Sequence, residues 1–193
     1  MNILFVTSEA MPFIRTGGLG DVAGALPKSF KNLGHQCRVI LPFYKDEIKP
    51  AFKDSFRFVG ATQVELGWRK QYCGVYESVF DGITYYFVDN EYYFKRKGLY
   101  GHFDDHERFA FFSKAVYKFV KYSIKNNLQP TTIIANDWHS GALSGLMKYL
   151  PISLLSKNMI SEDEADKLRS IPIVHIAHHL GYQGWDYPNT ARI

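Results

Sequence analysis

Residues 15–22, Arg-Thr-Gly-Gly-Leu-Gly-Asp-Val, have the residue types and spacing best suited to holding an anion. They follow an apolar run at residues 3–6 that predicts a buried strand, and they precede apolar residues at helical spacing. A strand, a glycine-rich turn and a helix direct backbone N–H groups and the positive end of a helix dipole at a ligand. Because Arg15 stands at the mouth of the turn, the sequence predicts a diphosphate site here.

The glycine spacing disfavours two common phosphate-binding classes. Gly17, Gly18 and Gly20 do not give the G-x-G-x-x-G spacing of a dinucleotide site. The second predicted strand, at residues 37–41, ends at Pro42 without the acid that would bind a ribose. No Gly-Lys-Ser/Thr closes the turn, as it would in a phosphate-loop NTPase. A diphosphate held by other means remains the prediction.

Two further polar segments also follow predicted strands. Residues 136–139, Asn-Asp-Trp-His, come after a short apolar strand at residues 133–135. Residues 178–184, His-His-Leu-Gly-Tyr-Gln-Gly, come after a strand at residues 172–176. In an open α/β sheet, ligands bind beyond the carboxyl ends of the strands, where the strand order reverses. The three segments therefore predict one shared crevice.

The polar residues of these segments also have purely structural interpretations. Asp137 is suited to capping the helix that follows it, and His139 to a buried structural role. His175, His178 and His179 suggest zinc by their number, but no cysteine or carboxylate nearby completes a ligand set. A neutral imidazole that donates a hydrogen bond to a ligand hydroxyl or carbonyl fits the pattern better.

The remaining pattern predicts a mostly parallel α/β sheet with an antiparallel hairpin excursion. Asp81-Gly82 is a strong hairpin signal, and Ser161 and Glu164 form a capping box before a helix that ends near Arg169. The other predicted strands span residues 63–66, 71–80 and 83–88, and the other predicted helices span residues 21–34, 105–126 and 140–149.

Length and composition restrict the class of protein. A chain of 193 residues with 46% apolar residues predicts one packed domain and excludes a disordered chain. The net charge of +4 is dispersed, which disfavours a nucleic-acid partner. No membrane segment or leader pattern is present, so a cytoplasmic location is expected. Cys37 and Cys73 are predicted to be buried free thiols, and the aromatic content of 16% favours a carbohydrate ligand.

Taken together, the motifs resemble those of bacterial glycogen synthases and plant starch synthases, the ADP-glucose-dependent retaining glucosyltransferases of glycosyltransferase family 5. That family opens with a strand, then Ser-Glu, then Lys-Thr-Gly-Gly-Leu-Gly-Asp-Val, and this chain has Ser8, Glu9 and residues 15–22. Asn-Asp-Trp-His is matched at residues 136–139, and His-Asn-Leu-x-Tyr-Gln-Gly at residues 178–184. The resemblance extends over nearly the whole chain.

The resemblance implies a GT-B fold, in which two Rossmann-like halves face a cleft. Residues 1–193 would be the N-terminal, acceptor-side half, truncated, with the C-terminal donor-binding half absent. The whole enzyme would transfer glucose from ADP-glucose to the non-reducing end of an α-1,4-glucan with retention, in glycogen biosynthesis. No metal or cofactor is implied, and neither a membrane nor a nucleic acid is expected as a partner. The fragment alone is predicted to be inactive.

The resemblance also implies roles for individual residues. Asp137 matches an acid close to the transferred glucose, and His178 matches a histidine that contacts that sugar. Arg15 takes the position of a lysine near the donor diphosphate, with Gly17 and Gly18 packed under it. The remaining candidate substrate-binding residues are Tyr100, His139, His179, Tyr182 and Gln183.

Two residues depart from the family pattern. Arg15 replaces a lysine, and a planar guanidinium fork presents its charge differently from a compact ammonium. His179 replaces an asparagine, so a group that titrates near neutral pH stands where an amide is usual. Two alternatives stay open: another GT-B glucosyltransferase, with UDP-glucose as donor or a small acceptor, and a non-catalytic glucan-binding module.

Overall fold

The computed structural model describes residues 1–67, 69–181 and 184. Tyr182 and Gln183 lie outside the described residues, so their predicted roles have no structural counterpart here. The strands are β1 (Asn2–Val6), β2 (Gln36–Pro42), β3 (Arg57–Leu66), β4 (Arg69–Phe80), β5 (Ile83–Asp89), β6 (Thr132–Asn136) and β7 (Ile173–Ile176). The helices are α1 (Gly18–Asn32), α2 (Glu91–Phe94), α3 (Asp105–Lys125), α4 (Ala142–Ser156) and α5 (Glu162–Ser170), with 3₁₀ turns at Pro50–Ser55 and Trp138–Ser140.

The described strands form one seven-stranded sheet in the order β3-β4-β5-β2-β1-β6-β7. The five neighbouring strands β5, β2, β1, β6 and β7 are parallel to one another. At the other edge, β4 pairs antiparallel with both β5 and β3. This confirms the prediction of a mostly parallel sheet with a hairpin excursion. Asp81 and Gly82 both have positive φ, 50° and 69°, as a two-residue hairpin turn requires.

The central strands are buried on both sides, as parallel strands usually are. Leu4, Phe5, Val39 and Ile40 are inaccessible to solvent. Right-handed crossovers place α1 on one face of the sheet and α4 and α5 on the other, because the two connections leave the centre in opposite directions. α3 packs beside α4 and α5. Among the described helices, none combines the length and apolarity that crossing a membrane requires.

Several element boundaries differ from those predicted. α1 begins at Gly18 instead of near Asp21, because Gly17 takes the extended N-cap conformation without a capping side chain to signal it. β3 begins six residues before the predicted Gln63, across a bulge next to Gly60 where the apolar alternation is lost. α4 continues beyond the predicted end through Pro151, whose buried ring compensates for the hydrogen bond that proline removes.

The two cysteines are buried free thiols, as predicted. Cys37 and Cys73 have no disulfide partner, and each is almost inaccessible to solvent. Burial raises the pKa of each thiol to about 12, so neither is a reactive thiolate near neutral pH.

Candidate functional site

The order of the sheet reverses between β1 and β6. From β1 the chain passes through α1 to β2 on one side, and from β6 it passes through α4 and α5 to β7 on the other. Residues 15–21, residues 136–139 and residues 177–181 therefore leave from one sheet edge at the reversal point. This arrangement is where open α/β sheets bind ligands, and it agrees with the predicted shared crevice.

Asp137 is held in a backbone conformation that favours glycine. Its φ is 52° and its ψ is −177°, at the end of β6. Its N–H donates to the carbonyl of Ile176 at 2.8 Å, and its Oδ1 accepts from the N–H of His178 at 2.7 Å. The side chain makes no capping bond to the following 3₁₀ turn. Asp137 therefore ties the end of β6 to the segment after β7, and the helix-capping interpretation is wrong.

The His178 imidazole is fixed by Asn136, a residue that lies at the end of β6. Its Nε2 lies 2.9 Å from Oδ1 of Asn136, whose amide nitrogen donates to the Val6 carbonyl at 2.9 Å. Because the Asn136 oxygen can only accept, Nε2 of His178 must be the protonated nitrogen. A ligand would then meet Nδ1, which is an acceptor in the neutral ring. The donor role expected for this imidazole is already taken by Asn136.

The glycine turn, residues 15–21, is organised around a buried carboxylate. Glu9 is only 3% exposed, and its Oε2 accepts from the N–H of Thr16, from the Thr16 hydroxyl at 3.0 Å and from the N–H of Gly17 at 3.4 Å. Two of the turn amides predicted to serve an anion are therefore bonded to Glu9. The open part of the turn begins at Gly18, where an added Cβ would meet no atom within 4 Å.

Arg15 lies at the mouth of this turn, as predicted, and is exposed. Its Nε and NH2 donate to the two carboxylate oxygens of Asp21 at 2.6 and 2.8 Å. The hydrogen bonds to Asp21 and the negative charge of that carboxylate raise the pKa of Arg15, and the hydrogen bonds and positive charge of Arg15 lower the pKa of Asp21. The arginine stem packs over Gly20, where an added Cβ would lie 3.1 Å from it. The guanidinium is a surface cation, and its partner Asp21 is also exposed.

Tyr100 and His139 form a wall beside the ends of β1 and β6. The Tyr100 hydroxyl lies 2.7 Å from that of Ser8, and its ring lies 4.7 Å from the His139 ring. Burial raises the pKa of Tyr100 well above its usual value. Burial, together with the charge of Arg108, lowers the pKa of His139 to about 3, so this imidazole is neutral. His139 lies beneath the site, packed between Trp138 and Tyr100.

Arg108 supports this wall and was not singled out in the sequence. It is inaccessible to solvent, and it donates to the carbonyls of Tyr93 at 2.7 Å and Leu99 at 3.0 Å and to Asp105 at 2.5 Å. The contact with Leu99 fixes the residue before Tyr100. The available signal was a cation on the apolar face of α3, four residues before Phe112. Arg108 thus positions the loop that carries Tyr100.

The segment after β7 closes the site on its third side. His179 is exposed, and its ring lies close to Gly181. Gly184 has a φ of 69°, and a Cβ there would lie 2.5 Å from the Trp138 ring. This close approach requires glycine, so the last described residue rests on the 3₁₀ turn that follows Asp137. The structure thus brings Asp137, His178 and His139 together, with Arg15 on the neighbouring turn.

The chain is similar to proteins of one family. A family model described as the starch synthase catalytic domain matches residues 2–192. A glycogen synthase of Clostridium botulinum (strain Eklund 17B / Type B) is 46% identical over 184 residues, which cover 95% of this chain and 36% of that protein. One from Bacillus cytotoxicus is 46% identical over 187 residues, 95% of this chain and 35% of that protein. The chain thus spans about a third of the length of these relatives.

A solved structure shares the fold. The catalytic domain of starch synthase IV from Arabidopsis thaliana, bound to ADP and acarbose, superposes with a TM-score of 0.75 at 22% identity. The match covers 93% of this chain and 34% of that one. At this level of identity the likeness supports the architecture of the sheet and helices.

Proposed function

The chain belongs to the starch synthase catalytic domain family, and from this premise we propose that it is the acceptor-side half of a retaining glucosyltransferase. The whole enzyme would transfer glucose from ADP-glucose to the non-reducing end of an α-1,4-glucan, as part of glycogen synthesis. The donor would be held mostly by a C-terminal half that continues this chain. The length of the relatives supports this division, since the chain matches about a third of each. A cytoplasmic location accompanies the proposal.

The hydrogen-bonded set of Asp137, His178 and Asn136 is the observation that carries this proposal. Glucosyl transfer with retention passes through a sugar with positive charge at its anomeric carbon, and fixed polar groups stabilise that charge. The Asp137 carboxylate is such a group, because the N–H of His178 holds one of its oxygens at 2.7 Å. The His178 ring, fixed by Asn136, would orient a sugar hydroxyl through Nδ1.

The glycine turn is proposed to stabilise the leaving diphosphate. Gly18 begins α1, so the positive end of this helix faces the open part of the turn. Arg15 supplies a cation, and its ion pair with Asp21 is exposed on both sides, with side chains 50% and 52% accessible. Replacement of Asp21 by a phosphate as the partner of Arg15 would therefore cost little free energy. Tyr100, His179, Tyr182 and Gln183 complete the proposed substrate contacts, and His139 supports them from beneath.

The test is glucosyl transfer by the full-length protein that contains this chain. We expect incorporation of labelled glucose from ADP-glucose into glycogen, with ADP-glucose preferred over UDP-glucose in direct competition. Residues 1–193 alone should transfer nothing, because the donor half is missing. A preference for UDP-glucose would identify a different donor class. Binding of glycogen without transfer from either donor would instead identify a non-catalytic module and overturn the proposal.

A further inference from the structure

A groove separates the last turns of α3 from the β3–β4 hairpin. It has a volume of about 390 Å³, and it is lined by residues 59–62 of β3, by Cys73 and Val75 of β4, and by one face of α3 from Ala115 to Lys125. We call it the α3 groove. We propose that the α3 groove binds a small aromatic phosphate, at a site separate from the crevice. This inference does not depend on the proposed function.

The floor of the α3 groove is apolar and consists of small side chains. In the β3–β4 ladder, Gly60 pairs with Val75 and Thr62 pairs with Cys73, and paired residues point to the same face of a sheet. Gly60 therefore faces the groove, and an added Cβ there would meet no atom within 4 Å. Ala115 contributes a small side chain from α3. Because no long side chain fills this space, an apolar group could enter it.

Two aromatic residues of α3 lie beside this floor. Phe119 is buried against Tyr86, with ring centroids 4.6 Å apart, whereas Tyr122 is 45% exposed. The Phe119 and Tyr122 centroids lie 6.3 Å apart, with planes inclined by 37°. An exposed ring of this kind can pack against an aromatic ligand. A flat aromatic body suits the groove better than a sugar, whose hydroxyls would find few polar partners on the floor.

Three lysines give the α3 groove a positive charge. Lys118, Lys121 and Lys125 are three and four residues apart, so they lie on the same side of α3. The Lys118 ammonium donates to the carbonyl of Gln63, and Lys121 pairs with Glu164 of α5 at 3.0 Å. Lys125 is exposed and forms no ion pair within the described part of the chain. The described residues that line the groove include no carboxylate, so the charge favours an anion.

The size and the chemistry of the groove define the class of ligand. A volume of about 390 Å³ is in the lower part of the range for small-molecule sites, which is about 300–1,000 Å³. Inorganic phosphate would pair with the lysines but leave the floor uncovered, and a neutral aromatic molecule would leave the lysines unpaired. A ligand with both parts buries apolar area and forms charge-assisted hydrogen bonds. Glu77, the next carboxylate along this face of β4, is already paired with Arg57.

The α3 groove is distant from the crevice. Arg108, near the start of α3, fixes the loop that carries Tyr100 beside the crevice, whereas Lys125 is the last residue of the helix. At the rise of an α-helix, Lys118 and Lys125 lie about 15 and 25 Å from Arg108 along its axis. A small ligand in the α3 groove should therefore not compete with ADP for the crevice.

The test measures the binding of naphthyl phosphate to the full-length protein that contains this chain, by titration calorimetry with saturating ADP present. We expect binding that ADP does not displace. Naphthol and inorganic phosphate, which each lack one part of the ligand, should bind at least about tenfold more weakly. Naphthyl phosphate should also raise the melting temperature, because a ligand that binds only the folded state stabilises it. These measurements require no glucosyl transfer.

Two variants locate the ligand in the groove. Lys118→Met combined with Lys125→Met keeps the apolar stems and removes both charges, so the Kd for naphthyl phosphate should rise about tenfold while naphthol binding does not change. Gly60→Leu should abolish the binding of both, because its side chain enters the open floor. The matched controls are Lys157→Met, at the end of α4, and Gly145→Leu, where a Cβ on α4 is equally unobstructed. Both controls should bind as the wild type does.

Five results would overturn the inference. These are no binding to the wild type, equal affinity for naphthol, an unchanged Kd in the double lysine variant, displacement by ADP, which would place the ligand in the crevice, and displacement by maltotriose, which would identify a sugar site. Thermal unfolding without ligand checks that each variant is folded. If Gly60→Leu does not fold, the double lysine variant and the ADP competition decide the outcome.

Discussion

The glycine turn and the end of β6 both follow central strands, but they are held in different ways. In the glycine turn, Thr16 and Gly17 bond to Glu9, and Arg15 bonds to Asp21. These contacts are local, with partners at most eight residues apart in sequence. At the end of β6, Asp137 bonds to His178, forty-one residues away. The glycine turn is therefore stabilised by residues close to it in sequence, whereas the end of β6 is bonded to the segment that follows β7.

This difference suggests that Asp137 is held in a fixed position, whereas Arg15 only supplies a positive charge. A non-glycine residue at a φ of 52° with an extended ψ costs about 1–3 kcal/mol, and it persists only where surrounding contacts impose it. The contacts to Ile176 and His178 impose it on Asp137. Arg15 has no positive φ among the described backbone angles, and its partner Asp21 is exposed. We therefore expect substitutions at Asp137 to act on turnover, and substitutions in the glycine turn to act on binding or stability.

The largest expected effect is that of Asp137→Asn in the full-length enzyme. The amide oxygen can still accept from the His178 N–H, so the free energy of unfolding should change by less than about 1 kcal/mol. The substitution removes the negative charge that we propose to stabilise the anomeric carbon, so kcat should fall about 10²- to 10³-fold. The same change at Glu9, a matched carboxylate-to-amide control, should cost about 1–2 kcal/mol of stability because three donors face that carboxylate.

Steady-state kinetics and urea unfolding distinguish these two outcomes. If Asp137→Asn lowers kcat only as much as it lowers the fraction of folded enzyme, the proposed role of Asp137 is wrong. If Glu9→Gln lowers kcat as strongly as Asp137→Asn while remaining folded, the division between the two regions is wrong.

An intermediate effect is expected from the buried histidine beneath the end of β6. Burial depresses the pKa of His139 to about 3, against an ordinary value near 6.5. The unfolded chain therefore binds a proton that the folded chain does not, and stability is lost as the pH falls below about 6.5. At pH 5 this loss amounts to about 2 kcal/mol.

His139→Phe keeps an aromatic ring and removes the titrating group. Urea unfolding at pH 7 and pH 5 should show a smaller acid loss in this variant than in the wild type, by about 2 kcal/mol. Equal acid losses in the two proteins would show that His139 is not the group responsible.

The smallest effect is expected from Arg15→Lys, which restores the residue common in the resembled family. Because the ion pair with Asp21 is exposed, the melting temperature should not change measurably. The KM for the sugar nucleotide should change by less than about threefold, since the cation is kept and only its fork is lost. A tenfold change in KM, measured with saturating glycogen, would show that the planar guanidinium is required.

Most of the fold could be predicted from local patterns. Apolar runs, the Asp81-Gly82 turn and the capping box at Ser161 each predict an element that the structure contains. Errors arose where an element begins or ends without the usual signal. α1 starts after a glycine cap, and α4 passes through Pro151 because packing against the core outweighs the preference of proline.

The sequence predicted which residues lie in the candidate site, but it did not predict the hydrogen bonds between them. Periodicity placed Asp137 and His178 after consecutive strands. The residue type of Asp137, considered without its neighbours, favoured a helix-capping role. Arg108 was missed because two of its acceptors, the carbonyls of Tyr93 and Leu99, lie in α2 and the loop after it, whose path periodicity does not predict. Glu9 was noticed only as part of a motif, and its bonds to the glycine turn depend on that turn's path.

The sequence by itself determined the α/β class, the order of elements and the residues that could do chemistry, because those follow from spacing along the chain. The tertiary structure decided which polar groups remain open to a ligand. Glu9 takes two turn amides, Asn136 takes one nitrogen of His178, and the N–H of His178 takes one oxygen of Asp137. The Glu9 bonds depend on the path of the turn, whereas the two bonds of His178 join residues more than forty positions apart and depend on the sheet order that brings the strand ends together. Local sequence does not encode that proximity.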